Sequence, residues 1–156
     1  MKCNIMTATP RLLLFSLCGV LLLIIDQWQK YLARAYPNSA YYLIKPWLGW
    51  EYFGNPGIAF SLPIPNAAIV VATPLIILGL ALLLVNKQRH PIFSCGLTLI
   101  LAGAVSNFID RVIFGVTIDY LRVLTGVLNL ADVAIVTGAV LLILSAWRSK
   151  HSKYDS

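Results

Sequence analysis

The stretch that decides the fold is residues 92–111, IFSCGLTLILAGAVSNFIDR. Its residues are apolar or small until Asn107, Asp110 and Arg111 add an amide, a carboxylate and a guanidinium at one end. About 20 residues of apolar helix are enough to cross a bilayer. Charged groups within or at the end of such a span are costly and are usually kept for a function. The stretch therefore predicts a transmembrane helix that carries a polar site at one end.

Three further stretches have the same apolar character. The four predicted spans are 12–31, 67–85, 92–110 and 129–147. The chain is 59% hydrophobic and 12% charged, with a mean hydropathy of +0.81, whereas soluble domains carry roughly 25% charged residues. We therefore predict an all-α membrane protein with four transmembrane helices in a single domain, residues 1–156.

The basic residues predict the orientation of the chain. The net charge is +6, but the cations form no basic face with interleaved aromatic residues, so we expect no nucleic-acid partner. Seven basic residues lie before span 1, between spans 2 and 3, and after span 4: Lys2, Arg11, Lys87, Arg89, Arg148, Lys150 and Lys153. An excess of basic residues marks the cytoplasmic side. Both termini are thus predicted to be cytoplasmic.

The two outer connections have different sequence patterns. The first, from Ala35 to Asn66, contains aromatic and alternating residues typical of short strands at a membrane interface, followed by a turn at 54–57. The second, from Val112 to Leu128, is apolar but too short to cross. We expect it to lie on the outer membrane surface.

Two Asn-x-x-Asp pairs, Asn107 with Asp110 and Asn129 with Asp132, lie at the outer ends of spans 3 and 4. Because these two helices run in opposite directions, the pairs are expected at the same depth. Two carboxylates that face each other at the edge of a low-dielectric medium share one proton, as in an aspartic protease. The alternative is structural: Asp132 caps its own helix, and Asp110 pairs with Arg111 or Lys30.

The remaining polar groups permit both functional and structural interpretations. Asp26 and Lys30 are spaced i, i+4 on span 1, which favours a salt bridge that ties this helix to the bundle, although contact with the site or the substrate is an alternative. Asp119 in the second connection fits a solvated acid. The three cysteines lack metal-ligand spacing, and both histidines are predicted to be cytoplasmic. No metal or organic cofactor is therefore expected.

Five sequence blocks together resemble the bacterial lipoprotein signal peptidases (signal peptidase II, aspartic peptidase family A8). In chain order they are Asp26-x-x-x-Lys30, Asn55-x-Gly57-x-Ala59-Phe60, Gly103-x-x-x-Asn107-x-x-Asp110-Arg111, Gly115-x-x-x-Asp119-Tyr120 and Asn129-x-Ala131-Asp132. Each block is weak alone, but the five in order on four spans are specific. Ser106, Tyr120 and Leu128 depart from the usual Gly, Phe and Phe of that family.

The resemblance implies an aspartic endopeptidase of the bacterial cytoplasmic (inner) membrane, with its site near the extracytoplasmic face. Such enzymes cleave diacylglyceryl-modified prolipoproteins just before the lipidated cysteine. By resemblance, Asp110 and Asp132 match the catalytic pair, and Asn55 and Gly57 match a loop beside the substrate. The matched supporting residues are Asn107, Arg111, Asn129, Asp26, Lys30 and Asp119.

The resemblance also implies a small outer β cradle in the first connection and a short surface helix in the second. We expect a monomer whose partners are prolipoprotein substrates and membrane lipids. A small ion-coupled transporter and a non-catalytic membrane assembly subunit are the alternatives, since both use polar groups between helices.

Overall fold

The computed structural model describes residues 8–57, 64–85 and 90–151. Its helices are α1 (Ala8–Ala35), α2 (Asn66–Val85), α3 (Pro91–Phe114) and α4 (Leu130–His151). Its strands are β1 (Ala40–Ile44), β2 (Leu48–Asn55), β3 (Thr117–Val123) and β4 (Gly126–Leu128). The basic residues Lys2, Lys87, Arg89 and Lys153, and Ala59 and Phe60 of the second sequence block, lie outside the described residues. The orientation of the chain stays a prediction.

Within the described residues, four helices are long and apolar enough to cross a membrane, as the sequence predicted. Three of them continue about a turn beyond their predicted ends, to Ala35, Phe114 and His151. Helix α3 ends where Gly115 adopts a positive φ of 75° and donates its N–H to the carbonyl of Arg111 at 3.2 Å. Glycine adopts this left-handed conformation without steric cost, so it ends the helix. Asp110 and Arg111 therefore lie inside the last turns of α3 and not beyond it.

The four strands form one antiparallel sheet in the order β1-β2-β3-β4. The sheet draws on both outer connections, because β2 from the first pairs with β3 from the second, with Phe53 opposite Asp119 and Trp50 opposite Leu121. The predicted cradle in the first connection is thus confirmed as strands, but it is only half of the sheet.

The prediction of a short surface helix in the second connection is wrong. Residues 117–123 and 126–128 are strands. Ile118 and Tyr120 pack against Ala33 of α1 in a small buried core, while the backbone of β3 pairs with β2. β-branched and aromatic residues suit such a half-buried pleated surface, and pairing with β2 satisfies backbone groups that a lone apolar segment would leave to water or lipid.

Close packing of α3 against α4 depends on glycine. A Cβ placed on Gly103 would lie 2.5 Å from the carbonyl oxygen of Ala131, and one on Gly138 would lie 2.5 Å from that of Gly96. No side chain fits at these distances, so the absence of side chains lets the two backbones approach. Small residues at helix crossings have this role in membrane bundles. The approach at Gly103 brings the outer end of α3 against the first turn of α4.

Candidate active site

A buried ion-pair cluster lies between α1 and α3. The ammonium of Lys30 is 2.9 Å from Oδ2 of Asp26 and 2.8 Å from Oδ2 of Asp110. All three side chains are at most 1% exposed. Breaking a buried pair leaves an uncompensated charge, which is strongly destabilising. The predicted salt bridge that ties span 1 to the bundle is therefore confirmed. We call Asp26, Lys30 and Asp110 the buried ion-pair cluster.

Asp110 has further hydrogen bonds in this cluster. Its Oδ1 accepts from Nε2 of Gln27 at 3.1 Å, and its Oδ2 also accepts from the backbone N–H of Ile118 at 3.1 Å. These donors fix the orientation of the buried carboxyl group. Asp110 thus pairs with Lys30, one of the two partners that the sequence suggested, and its catalytic role stays a prediction.

Asp26 connects α1 to the other elements around the site. Its Oδ2 accepts from the hydroxyl of Ser106 at 2.6 Å, and its Oδ1 accepts from the hydroxyl of Tyr120 at 2.9 Å and the N–H of Ala131 at 3.2 Å. Nε2 of Gln27 lies 2.9 Å from Oγ of Ser106. Sequence reasoning missed the roles of Gln27 and Ser106. The sequence gives only a weak signal for these two residues: each is a polar residue inside an apolar span, and each lies next to a residue of the site, Asp26 or Asn107.

Asp132 lies in the first turn of α4 and is half-buried. Its Oδ1 accepts from Nδ2 of Asn107 at 2.8 Å, so α3 and α4 do meet at the predicted depth. Its N–H donates to Oδ1 of Asn129 at 2.8 Å, and its Oδ2 accepts the N–H of Asn129 at 3.4 Å. This reciprocal arrangement is a capping box. Asp132 therefore both caps α4 and presents a partly accessible carboxylate.

Asp119 is buried rather than solvated, with 1% exposure. Its Oδ2 accepts from Nδ2 of Asn55 at 3.0 Å, and its Oδ1 accepts from Nδ2 of Asn129 at 2.6 Å. Burial, followed by the negative charge of Asp132, raises the pKa of Asp119 to about 7. Asn129 thus holds both acids, since its Oδ1 caps Asp132 while its Nδ2 binds Asp119. We call Asp119 and Asp132 the asparagine-held pair.

Arg111 holds the turn after β2 against α3. Its guanidinium donates to the carbonyl of Gly57 and, at 3.4 Å, to Oδ1 of Asn66, whose Nδ2 donates to the carbonyl of Arg111 at 3.2 Å. Oδ1 of Asn55 accepts the N–H of Gly57 at 3.0 Å. That bond leaves Nδ2 of Asn55 directed at Asp119, so the turn is part of the site. Contact of Asn55 and Gly57 with a substrate stays a prediction.

The site therefore unites all ten residues singled out in the sequence and arranges them in two adjoining groups. Asp26, Lys30 and Asp110 form one group, and Asp119, Asp132 and the asparagines form the other, with Arg111 and Gly57 beside it. Among the described residues, no three His, Cys, Asp or Glu side chains are grouped so as to hold a metal ion.

Comparison with known proteins defines the class. The family described as signal peptidase (SPase) II matches residues 18–148. The chain is 38% identical over 149 residues to the lipoprotein signal peptidase of Chlorobium phaeobacteroides, covering 84% of this chain and 94% of that protein. It is 35% identical over 136 residues to that of Moorella thermoacetica, covering 82% and 89%. The chain belongs to the signal peptidase II family.

A solved structure supports the fold. A bacterial membrane enzyme determined at 2.3 Å by the in meso method superposes with a TM-score of 0.79, covering 97% of this chain and 94% of that one, at 22% identity. Family and fold together identify the chain as a multi-pass bacterial membrane peptidase.

Proposed function

We propose that this chain cleaves the signal peptide from diacylglyceryl-modified prolipoproteins, just before the lipidated cysteine, at the outer face of the cytoplasmic membrane. The family and the relatives named lipoprotein signal peptidases support this substrate class. The site adjoins the outer ends of α3 and α4 as the sequence orients them, where the lipidated cysteine of a substrate anchored in the outer leaflet would lie. The family gives no support to a transporter or an assembly subunit.

The proposed catalytic groups are Asp110 and Asp132, as the resemblance implies. The observation that supports this pair is the line of contacts that joins them: Nζ of Lys30 lies 2.8 Å from Oδ2 of Asp110 and donates to Oδ1 of Asn107 at 2.8 Å, and Nδ2 of Asn107 donates to Oδ1 of Asp132 at 2.8 Å. An aspartic peptidase needs one protonated and one ionised carboxyl group near neutral pH.

In the proposed reaction, the ionised member of the Asp110–Asp132 pair takes a proton from a water molecule, whose oxygen attacks the scissile carbonyl carbon. The protonated member gives its proton to the carbonyl oxygen, which forms a neutral tetrahedral intermediate. When the C–N bond breaks, the proton taken from water passes to the leaving nitrogen, and a hydroxyl proton of the intermediate returns to the member that donated first. Both carboxyl groups are preorganised, because Lys30 and the N–H of Ile118 hold Asp110 and Asn107 holds Asp132.

The substrate proposal is tested with the purified full chain in proteoliposomes. We expect a prolipoprotein that carries diacylglycerol to be cut immediately before the modified cysteine, as measured by mass spectrometry of both products. The same precursor without the lipid is the matched control and should stay uncut. Equal cleavage of both precursors, or a cut elsewhere, would overturn the proposed substrate class.

A further inference from the structure

Helices α1 and α3 contact each other through pairs of side chains that repeat every four residues. The hydroxyl of Ser106 donates to Oδ2 of Asp26 at 2.6 Å. Four residues further along both helices, Nζ of Lys30 lies 2.8 Å from Oδ2 of Asp110. Residues spaced i, i+4 lie on the same helix face, so the row continues with a third pair one turn further on. We call this row of pairs the α1–α3 seam.

The third pair of the seam consists of Arg34 on α1 and Phe114 on α3. The guanidinium carbon of Arg34 lies 3.9 Å from the centroid of the Phe114 ring, which is a cation–π contact. Helix α1 thus presents a cation in both the second and the third pair, whereas α3 presents first the carboxyl group of Asp110 and then an aromatic ring. The third cation therefore has no negative charge opposite it.

Arg34 forms no ion pair within residues 8–57, 64–85 and 90–151. The cations of the ion pairs found there are Lys30 and Arg122. Nε of Arg34 is also buried and has no hydrogen-bond acceptor in this part of the chain. A buried donor without an acceptor is costly, so an acceptor from outside these residues is expected at this position.

The third pair lies where the helices reach the membrane surface. The candidate spans of α1 and α3 end at Ala35 and Phe114, next to the strands of the sheet. Tyr31, three residues before Arg34, has an exposed ring whose centroid lies 5.7 Å from that of the exposed Trp28. Exposed Trp and Tyr side chains are typical of the membrane interface, where lipid headgroups lie. The guanidinium is therefore at the depth of the phosphate groups.

We propose that Arg34 and Phe114 form a binding site for the phosphate group of a membrane phospholipid. The ring of Phe114 supports one face of the planar guanidinium, so the N–H groups point sideways from the contact. A guanidinium in this orientation can donate two parallel hydrogen bonds to the oxygens of one phosphate. The phosphate supplies both the negative charge and the acceptor that the chain lacks here.

The surface of α1 suits an acyl chain of the same lipid. Exposed apolar side chains follow the helix in alternating steps of four and three residues and end one turn before Arg34: Leu17, Leu21, Ile24, Trp28 and Tyr31. This spacing keeps them on one face of the helix. A phospholipid bound at Arg34 extends its chain along this face, toward the middle of the bilayer. The ligand differs from the proposed substrate, because a diacylglyceryl group carries no phosphate.

A bound phosphate completes the third pair of the seam. Its charge takes the place that the carboxyl group of Asp110 has in the second pair, so it holds the ends of α1 and α3 together beside the sheet. Lys30 lies one turn away on the same face of α1. The phospholipid thus stabilises the helix pair that positions the buried ion-pair cluster, whichever reaction the site performs.

The test is binding of phosphatidylglycerol to the purified full chain in detergent, measured by native mass spectrometry as the lipid retained on the protein. Arg34→Gln should weaken binding by about ten- to a hundredfold, which is the usual value of hydrogen bonds to a charged group. Arg122→Gln is the matched control, because that guanidinium already pairs with Glu51, and it should leave binding unchanged. Equal binding by Arg34→Gln and the unaltered chain would overturn the site.

Phe114→Leu decides the matter if Arg34→Gln does not fold. It keeps the charge and an apolar side chain but removes the ring that orients the guanidinium. We expect binding of phosphatidylglycerol to weaken by about two- to fivefold, the usual value of an exposed cation–π contact. Unchanged binding by this variant would show that the third pair does not form the site.

Two competing ligands separate the phosphate from the rest of the lipid. Diacylglycerol with the same acyl chains lacks the phosphate, and inorganic phosphate lacks the chains, so neither should displace phosphatidylglycerol. Displacement by diacylglycerol would show that the chains alone bind, and displacement by inorganic phosphate would show a site for a free anion; either result overturns the phospholipid site. A higher KM for the lipidated precursor in Arg34→Gln, with phospholipid binding unchanged, would instead assign Arg34 to the substrate.

Discussion

The buried ion-pair cluster and the asparagine-held pair contain the same kind of acid in different surroundings. Asp26 and Asp110 are compensated by the ammonium of Lys30, which lies within 3 Å of both. Asp119 and Asp132 are held mainly by neutral amides. The two regions are connected, because Asn107 accepts a hydrogen bond from Lys30 and donates one to Asp132. The proposed catalytic pair takes one acid from each region, Asp110 from the first and Asp132 from the second. The comparison teaches that the two regions are parts of one hydrogen-bonded site.

The largest expected effect comes from removing either member of the proposed catalytic pair. Asp110→Asn and Asp132→Asn should each lower kcat by about 10³- to 10⁴-fold, because general acid–base catalysis of this kind is worth up to about four orders of magnitude. Single-turnover cleavage of a lipidated precursor measures this loss. Binding of that precursor to each variant serves as the control for folding. Cleavage by either variant at the unaltered rate would contradict its assignment.

The corresponding change at Asp119, the acid outside the proposed catalytic pair, should act mainly on stability. Asp119→Asn places an amide NH₂ group against Nδ2 of Asn55 or of Asn129, which both donate to the present carboxyl group, and an unsatisfied buried polar group costs about 1–3 kcal/mol. Denaturant unfolding in detergent micelles measures this cost. Per folded molecule, we expect Asp119→Asn to keep activity within about tenfold of the unaltered chain, far above the activity left after general acid–base removal. A normal unfolding curve combined with complete loss of turnover would place Asp119 in the catalytic pair.

Glycine substitutions test whether helix packing positions the two regions. Gly103→Val places atoms against the carbonyl of Ala131 and should cost about 1–3 kcal/mol through overpacking, with reduced activity as Asn107 moves from Asp132. Gly79→Val is the matched control, because nothing lies within 4 Å of a Cβ at that position. Thermal unfolding and turnover of the two variants give the comparison. Similar unfolding temperatures and turnover of the two variants would show that the close approach of α3 and α4 is not needed for stability or activity.

The pH dependence of stability tests the surroundings of Asp119. Burial, followed by the negative charge of Asp132, raises the pKa of Asp119 from 3.8 to about 7. The folded state holds the proton of Asp119 more tightly than the unfolded chain. Its contribution to stability is therefore present below about pH 4 and is lost as the pH rises to about 7. Replacing Asp119 with Asn should remove this dependence from the unfolding free energy; a slope that persists unchanged would assign it to another group.

The smallest effect is expected away from both regions, at the ion pair of Glu51 with Arg122 on the sheet. Nη2 of Arg122 lies 2.5 Å from Oε1 of Glu51, and Arg122 is 26% exposed. Its hydrogen bond to Glu51 lowers the pKa of that carboxyl group. Pairs near the surface contribute about 1 kcal/mol or less, so Arg122→Gln should change the unfolding midpoint slightly and turnover not at all. A loss of activity would extend the site to this part of the sheet.

Part of this architecture follows directly from local sequence. The four spans follow from hydropathy, and the meeting of Asn107 with Asp132 follows from chain direction and spacing alone. The capping of α4 by Asn129 is a local i, i+3 relation. Each of these features depends on neighbours within one helix or on the alternation of spans across the membrane.

The rest depends on tertiary contacts that local patterns do not encode. Strand β3 forms because β2, more than sixty residues earlier, supplies its partner. The local sequence therefore indicated only an apolar segment on the membrane surface, and the helix that the resemblance implied there was wrong. Asp110 binds Lys30 because α1 is rotated to present Lys30 to α3. Asp119 is buried only once Asn55 and Asn129 converge on it. The resemblance assigned these residues to one site, but it did not indicate which carboxyl group is protonated.

Single-turnover cleavage of a diacylglyceryl-modified precursor by three matched variants tests the central claim most directly, because Asp110→Asn, Asp132→Asn and Asp119→Asn make the same chemical change at three acids of one site. The account predicts that Asp110→Asn and Asp132→Asn each lower the cleavage rate by about 10³-fold or more, while Asp119→Asn keeps it within about tenfold. Loss of cleavage in Asp119→Asn with cleavage retained in Asp110→Asn would contradict it.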